Sequence, residues 1–302
     1  MNFVNKFLSL LGVKLIRAEY HNKSNKIVTT IIGGVELLIN KGSMLPAFLK
    51  HSPHYESTLP RLTKFISENN SDFDIIDAGA YIGDTAALIR QQVENKIYSI
   101  EGDIFFYELL KKNAVNIPNM IPVKAYLGSG ASEQLKNHMN QLADSTNPYK
   151  KSENDNQTIE SITLDSLVEN KTISNNIGLL KIDTDGYDFE VIRGANKLLK
   201  EVSPILYIEF DRKLLENQNF NGLEELIKLK TSYGPVMVYD NFGHLLLSTD
   251  MDDTKILGQL YNYMSNEKSP IYYFDLIIFP KNKADLFQTF NKNEINYFEN
   301  FG

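Results

Sequence analysis

The 302-residue chain contains no cysteine. That removes disulfides, thiolate nucleophiles and Cys-ligated zinc or iron–sulfur sites, and it fits a reducing compartment. Basic residues are in deficit, with 31 Lys and Arg against 38 Asp and Glu and a formal net charge of −7. A binder of duplex DNA or another polyanion needs a basic footprint. The pairs Lys111-Lys112 and Lys150-Lys151 read as solvated surface, so no nucleic-acid partner is expected. No apolar run approaches the ~20 residues of a membrane span. No small-residue cleavage site follows the N-terminal apolar stretch, and no internal repeat is found.

The N-terminus carries Phe3, Phe7, Leu10, Leu11 and Leu15 at roughly helical spacing, interrupted by Lys6 and Lys14. Two readings stand. The plainer one is a helix docking on its own domain; the other is an amphipathic helix over residues 1–17 lying on a membrane surface. The expected location is cytoplasmic, and in the second reading peripheral to the membrane.

Composition is that of a globular chain, 42% hydrophobic and 23% charged. From residue 73 onward, β-rich apolar runs alternate with helical patterns. The runs are "FDIIDAGA" (73–80), "KIYSIEG" (96–102), "MIPVKAYLG" (120–128), "IGLLKID" (177–183), "PILYIEF" (204–210), "PVMVYD" (235–240) and "YYFDLIIFP" (272–280). Several are apolar on both alternations, as in strands covered on both faces. The alternation predicts an α/β fold with a mostly parallel sheet. A helix is expected over 187–200, with Tyr187, Val191, Ala195 and Leu198 on one stripe, and another from Asn221, where Glu224 completes a near capping box. The last run lacks a following helical pattern and is expected at an edge or in a hairpin. Before residue 70, "IVTTIIGGVELLIN" reads as a hairpin turning at Gly33-Gly34. Residues 129–158 are polar and read as a long surface loop.

Ligands of open α/β sheets bind beyond the carboxyl ends of the strands. The first run stops at "DAGAYIGD", where Gly79 and Gly83 bracket a turn into a helix starting near Asp84. The spacing is G-x-x-x-G, not the G-x-G-x-x-G dinucleotide fingerprint. Asp77 and Asp84 flank the turn with negative charge, which repels a pyrophosphate and admits a cation. The second run stops at Glu101, 18 residues after Gly83, where a carboxylate can accept from both hydroxyls of a ribose. Asp103 suits a helix N-terminus better. A glycine turn and a ribose acid without a phosphate cradle describe a positively charged adenosine cofactor such as S-adenosylmethionine.

The fourth run enters "GLLKIDTDGYDFEVIRGA" (178–195), which holds Asp183 at the strand tip and Asp185-Gly186 in a turn. Asp188 and Glu190 fall in the first turn of the next helix, where its dipole favours acids. The fifth run ends at Glu209. Two neighbouring strands that each end in a carboxylate can position a general base, or supply oxygen ligands to a divalent cation. Both roles stay open for Asp183 and Glu209. Lys181 is expected to pair with one of these acids. A polar His51-x-x-His54 loop precedes the domain, and it reads mainly as surface.

These residues resemble the FkbM-type S-adenosylmethionine-dependent methyltransferases of the class I methyltransferase superfamily. The resemblance runs from about residue 73 to 211 through "DIIDAGAYIGD", "IYSIEGD", "ITLDSL", "LLKIDTDGYDFEVIRGA" and "PILYIEF", and more loosely through "VYDNFGHLL" and "YYFDLIIFP". Its specific part is K-I-D-x-D/E-G followed by R-G-A. The resemblance implies a Rossmann-like, seven-stranded sheet with an antiparallel last strand, and methyl transfer to a hydroxyl. It places Asp77, Gly79, Ala80, Tyr81, Gly83, Asp84, Glu101, Gly102 and Asp183 at the cofactor, and it matches Asp165, Lys181, Asp185 and Gly186 to later family motifs. Asp183, Glu209 and Lys181 are the catalytic candidates. Residues 71–302 form the methyltransferase domain, residues 1–70 are a docking or acceptor-side extension, and residues 1–70 and the 129–158 loop, outside the strong motifs, are the expected acceptor-selecting parts. Tyr55, His54 and Asp185 are the acceptor-binding candidates, together with aromatics of the C-terminal region. A sugar or glycan hydroxyl is the leading acceptor, and a lipid or polyketide hydroxyl the alternative. An NAD-dependent oxidoreductase on a similar sheet is disfavoured by the missing third glycine and the acidic turn.

Overall fold

Apolar runs become strands here because helices cover both of their faces. The computed structural model describes residues 26–130, 160–266 and 269–300. The N-terminal stripe of residues 1–17 and all but the first two residues of the 129–158 segment lie outside the described residues. The chain opens with β1 (Ile27–Ile32), β2 (Val35–Asn40), α1 (Leu45–His51) and α2 (Thr58–Asn69). There follow β3 (Asp74–Ala78), α3 (Asp84–Arg90), β4 (Ile97–Glu101), α4 (Ile104–Asn113), β5 (Met120–Lys124) and α5 (Leu164–Glu169). Next come β6 (Ile177–Ile182), α6 (Asp188–Arg193), α7 (Asn196–Glu201), β7 (Ile205–Phe210), α8 (Arg212–Asn217) and α9 (Gly222–Lys228). The chain ends with β8 (Tyr233–Asp240), β9 (Leu245–Asp250), α10 (Thr254–Tyr263), β10 (Phe274–Pro280) and α11 (Ala284–Glu299).

The main sheet is Rossmann-like and runs β5-β4-β3-β6-β7-β10-β8-β9. Strands β3 to β7 pair in parallel, while β10 is antiparallel to both β7 and β8. The order reverses between β3 and β6, and the crevice at such a reversal is where ligands bind in this class of sheet. Alternate residues feed two cores: Ile76, Leu180, Leu206, Val238 and Ile278 on one face, and Ile75, Leu179, Tyr207, Met237 and Ile277 on the other.

Three expectations need correction. The sheet has eight strands rather than seven. The extra one is β9, which folds back on β8 through a turn closed by Gly243 N to Asp240 O at 2.8 Å. The last strand is not at an edge but between β7 and β8, and α11 follows it. The helix expected over 187–200 is two helices, α6 and α7, broken at Gly194-Ala195. A Cβ on Gly194 would stand 2.1 Å from the Gly128 carbonyl oxygen, so only glycine fits at the break.

The hairpin β1–β2 turns at Gly33-Gly34, both at positive φ, as its sequence implies. It docks on α3 and α4. Gly33 lies against the Ala87 carbonyl, where a Cβ would be 2.4 Å from the oxygen. Asn113, 1% exposed, receives Leu38 N at 2.7 Å and donates to Leu38 O at 3.0 Å and Ile82 O at 2.9 Å. One buried amide therefore staples hairpin, helix and glycine turn together. Replacing Asn113 by Ala leaves those backbone groups unpaired and is expected to cost about 1–3 kcal/mol. Denaturant unfolding measures the loss, and hydrogen exchange should show it largest in β1 and β2.

Candidate active site

Three strand ends meet at the crevice. Gly79 N and Ala80 N both donate to Ile100 O at 3.0 Å, and Asp183 N donates to Ala78 O at 3.0 Å. Gly79 has φ +81°, and a Cβ there would fall 1.7 Å from the Asp183 carbonyl oxygen. Only glycine permits that approach. Gly83, at φ +88°, precedes Asp84, the first residue of α3. Between them Tyr81 also has positive φ, +47°. Its amide donates to Glu101 Oε2 at 3.0 Å and its hydroxyl to Asn40 Oδ1 at 2.7 Å, so the glycine turn is tied to β2.

Glu101 accepts a second amide, Asp103 N, at 2.7 Å. Each of its oxygens keeps a free lone pair for a ligand hydroxyl. Burial pushes this carboxyl up to about 7 against those two amides. Asp103 caps α4, accepting from Phe105 N and Phe106 N, as its sequence position implies. Gly102 is covered by the Tyr126 ring, where a Cβ would be 2.2 Å from a ring carbon.

Lys181 lies at the centre and is 4% exposed. Its ammonium stands 3.2 Å from Asp77 Oδ1, 3.1 Å from Asp183 Oδ2 and 3.2 Å from the Gly79 carbonyl. All three ammonium donors are thereby occupied. Burial works against the charge, but Asp183, Asp77, Glu56 and Asp84 outweigh it and hold the lysine well above its usual range. Asp77 is fully buried, whereas the Asp183 side chain is 38% exposed and faces solvent at the cleft. Asp84 is pushed up to about 7, chiefly by burial.

Register extends this row across the sheet. Asp77 pairs with Lys181, Lys181 with Tyr207, and Glu209 with Asp275, so neighbouring strands present these side chains on one face. Tyr207 hydrogen-bonds the Asp275 carboxyl. Burial, then Asp183, Asp188, Asp185 and Asp275, keep Glu209 well above the ordinary carboxylate range. Burial and Asp183 push Asp275 up to about 7. Glu56, from the turn before α2, joins this group and is pushed up to about 8 by burial and then by Asp275. Tyr55 and Tyr273 share the same acidic neighbours.

Sequence reasoning missed Glu56, Asp275 and Tyr207, and it covered Tyr273 only as one of the C-terminal aromatics. Asp275 and Tyr207 were detectable as polar groups inside apolar runs, but Glu56 left no pattern. The acceptor candidates separate. Tyr55 joins the acids. Asp185, at φ +52°, is exposed at the mouth. His54 does not join them: its ring packs on His244 at 4.9 Å and Phe298 at 5.2 Å, on the far side of its turn. His51 is exposed at the end of α1.

The remaining acids serve the scaffold. Asp188 receives Thr184 N at 3.0 Å, Thr184 Oγ1 at 3.2 Å and Gly186 N at 3.1 Å, which shapes the turn carrying Asp185. Glu190 accepts from Ser129 and pairs with Arg193. Asp165 caps α7 by accepting Lys197 N at 2.8 Å and Leu198 N at 2.9 Å. Among the described residues no three His, Asp or Glu side chains converge to hold a metal ion, and no helix is long and apolar enough to cross a membrane.

The Methyltransferase FkbM domain family matches residues 77–243, just over half of the chain. Among solved structures, the chain is similar to methyltransferase FkbM from Methylobacillus flagellatus KT, at 12% identity over 64% of this chain and 55% of that one, with a TM-score of 0.38. It thus spans just over half the length of that protein. It is also similar to P. horikoshii TYW2 in complex with MeSAdo, at 13% identity over 91% and 81% of the two chains, TM-score 0.43. M. jannaschii TYW2 in complex with AdoMet matches at 11% identity over 89% and 88%, TM-score 0.41. No protein of curated function matches the sequence. The family match, not these distant structures, carries the assignment.

Two outcomes test the electrostatics. Lys181→Met leaves Asp77 buried without its cation, and breaking such a pair costs about 3–5 kcal/mol, readable as a fall in the unfolding midpoint. The second concerns pH. Glu56, Asp84, Glu101 and Asp275 titrate at about 7 to 8 in the folded chain, against about 4 when unfolded. The folded state therefore binds more protons over that interval. Stability of the ligand-free protein should fall as pH rises from about 4.5 to 8. Denaturant midpoints measured across that range, if flat or rising, contradict these assignments.

Proposed function

The chain belongs to the FkbM methyltransferase family, and on that footing we propose that it transfers a methyl group from S-adenosylmethionine to a hydroxyl, with a sugar or glycan as the acceptor. The crevice suits that cofactor by the chemistry of its groups. Among the described residues, carboxyls surround a single lysine whose donors are all taken, and the fully buried Asp77 has no hydrogen bond beyond its ion contact with Lys181. Such a site favours a cation and offers nothing to a pyrophosphate. When bound, the cofactor supplies an electrophilic methyl group on a sulfonium.

The chain's own residues do the rest. Glu101, fixed by two backbone amides, accepts from the ribose hydroxyls. The left-handed turn from Gly79 to Gly83 lets the backbone approach without side chains in the way. Asp183, fixed by Lys181 and open to the cleft, takes the proton of the acceptor hydroxyl. Holding the reacting groups in line can supply about 7–11 kcal/mol, and a positioned base about 10²–10⁴-fold. Glu209, whose carboxyl burial and the neighbouring acids raise well above the ordinary range, stands behind the base. Lys181 acts by placing Asp183 rather than by moving a proton. The segment before residue 71 forms the acceptor side.

The observation that carries this reading is the contrast between two fixed carboxylates: Glu101 held by amides at one strand end, and Asp183 held by an ammonium yet 38% exposed at the next. It predicts a split. Glu101→Ala should weaken S-adenosylmethionine binding in calorimetry by about 10–100-fold, the worth of hydrogen bonds to a charged group. Asp183→Asn should leave that affinity nearly intact and slow transfer of labelled methyl by about 10²–10⁴-fold. Full turnover by Asp183→Asn would remove the base from the scheme.

A further inference from the structure

The turn between α1 and α2 carries Tyr55 and Glu56 against the strand ends, and the molecule holds it there from behind. Ser57 donates to His54 O twice, from its amide at 3.0 Å and its hydroxyl at 2.7 Å. Arg61 donates to Ser57 Oγ at 2.8 Å and, through two nitrogens, to both carboxylate oxygens of Glu294 at 2.7 Å. Glu294 belongs to α11, is 1% exposed, and accepts Tyr239 Oη at 3.0 Å. The Arg61 guanidinium also lies 3.9 Å over the Tyr297 ring. Gly243 of the β8–β9 turn presses on His54, where a Cβ would be 2.1 Å from the carbonyl oxygen. So fixed, Glu56 adopts φ +57°, a backbone that side-chain-bearing residues rarely take.

In front of the turn, the charges acting on Glu56 are Asp275, Lys181, Asp183 and Asp84. Lys181 has no donor to spare. Beside these stand Glu209, opposite Asp275 in the register, and the hydroxyls of Tyr207 and Tyr273. Glu56, Tyr273 and Asp275 all lie outside residues 77–243, the part of the chain that the family shares.

We propose that Glu56 is the side chain with which the N-terminal segment contacts the acceptor, and that the acceptor meets it with neutral hydroxyl groups, carrying no phosphate or carboxylate within reach of Glu56, Glu209 and Asp275. The proposal rests on the methyl-transfer reading of this crevice. Among the described residues, an anion placed here would face carboxyls and, in Lys181, a cation whose donors are already taken. Burial keeps Glu56 up at about 8 and Asp275 at about 7, so in the empty protein at neutral pH they are largely or partly protonated. Protonated carboxyls both donate and accept, as tyrosine hydroxyls do, and an array of such groups matches a polyol. A cationic acceptor would compete with the sulfonium that the same acids hold.

The test uses the full-length protein, methyl-labelled S-adenosylmethionine, and neutral methyl glycosides and short neutral oligosaccharides. Each neutral compound is paired with its uronic acid, phosphate and amino counterpart. Label should enter the neutral members. Glu56→Ala should lower kcat/KM for them about 10-fold, with cofactor affinity within about twofold of the parent and an unfolding midpoint no lower than the parent's. Glu56→Lys should move turnover towards the acidic counterparts. Label in the charged members alone, label in none by a protein that binds the cofactor, or a Glu56→Ala variant with unaltered kcat/KM each overturns the proposal. Failure to bind S-adenosylmethionine in calorimetry is a separate result. It removes the methyl-transfer reading, and this inference falls with it.

Discussion

The crevice depends on one buried ammonium. Lys181 joins the two strands at which the sheet reverses, touching Asp77 and the Gly79 carbonyl on β3 and its turn, and Asp183 at the end of its own strand. Without that cation the fully buried Asp77 would be a lone charge, or a carboxyl forced neutral. Two anions and a carbonyl together overcome the desolvation of the ammonium, and the lysine stays charged. The same contact sets the direction of Asp183, whose backbone carbonyl occupies the space a side chain on Gly79 would need. Lysine, glycine and the two aspartates are thus one mechanical unit, and each is intelligible only with the others.

Around this unit the protein gathers more acid than one lysine can neutralise. Glu56, Asp84, Glu101, Glu209 and Asp275 are all displaced upward, and in each case burial is the first cause. A fold selected for stability alone would replace several of them with apolar side chains, because partly buried carboxyls without cations are costly. Perturbed groups of this kind concentrate where chemistry is done. Their sign is informative: an empty site destabilised by negative charge is relieved when a cation fills it.

How far the sequence discloses this depends on whether a residue's role is local. Asp103, Asn221 and Asp84 read correctly as helix starts because a cap is decided within four residues. Gly79, Gly83 and the Gly33-Gly34 turn read correctly because positive φ writes itself as glycine. Strand β9 did not, since none of its residues is buried and it holds polar Ser248, Thr249 and Asp250. The place of β10 between β7 and β8 is a matter of long-range pairing that no window contains. His54 and Glu56 show the same limit more sharply. They stand two residues apart, yet the left-handed turn sends one towards His244 and the other among the acids.

The family's most recognisable residues prove to be of two kinds. Asp165, Asp188 and Gly194 hold a helix start, a turn and a close approach of chain to chain, and they would be needed whatever the acceptor. Asp77, Glu101 and Asp183 face the crevice and fit the part of the reaction that relatives share. Neither kind bears on the identity of the acceptor in the proposed reaction. Among the described residues, those that join the acids from beyond the shared segment are Tyr55 and Glu56 before it and Tyr273 and Asp275 after it, and on the reading proposed above they face the acceptor. The two are locked to each other through Arg61 and Glu294, since α11 follows directly on β10 and grips the base of α2. On the acceptor reading proposed above, a change of acceptor would be made by altering the two ends of the chain together, while the unit centred on Lys181 is left as it is.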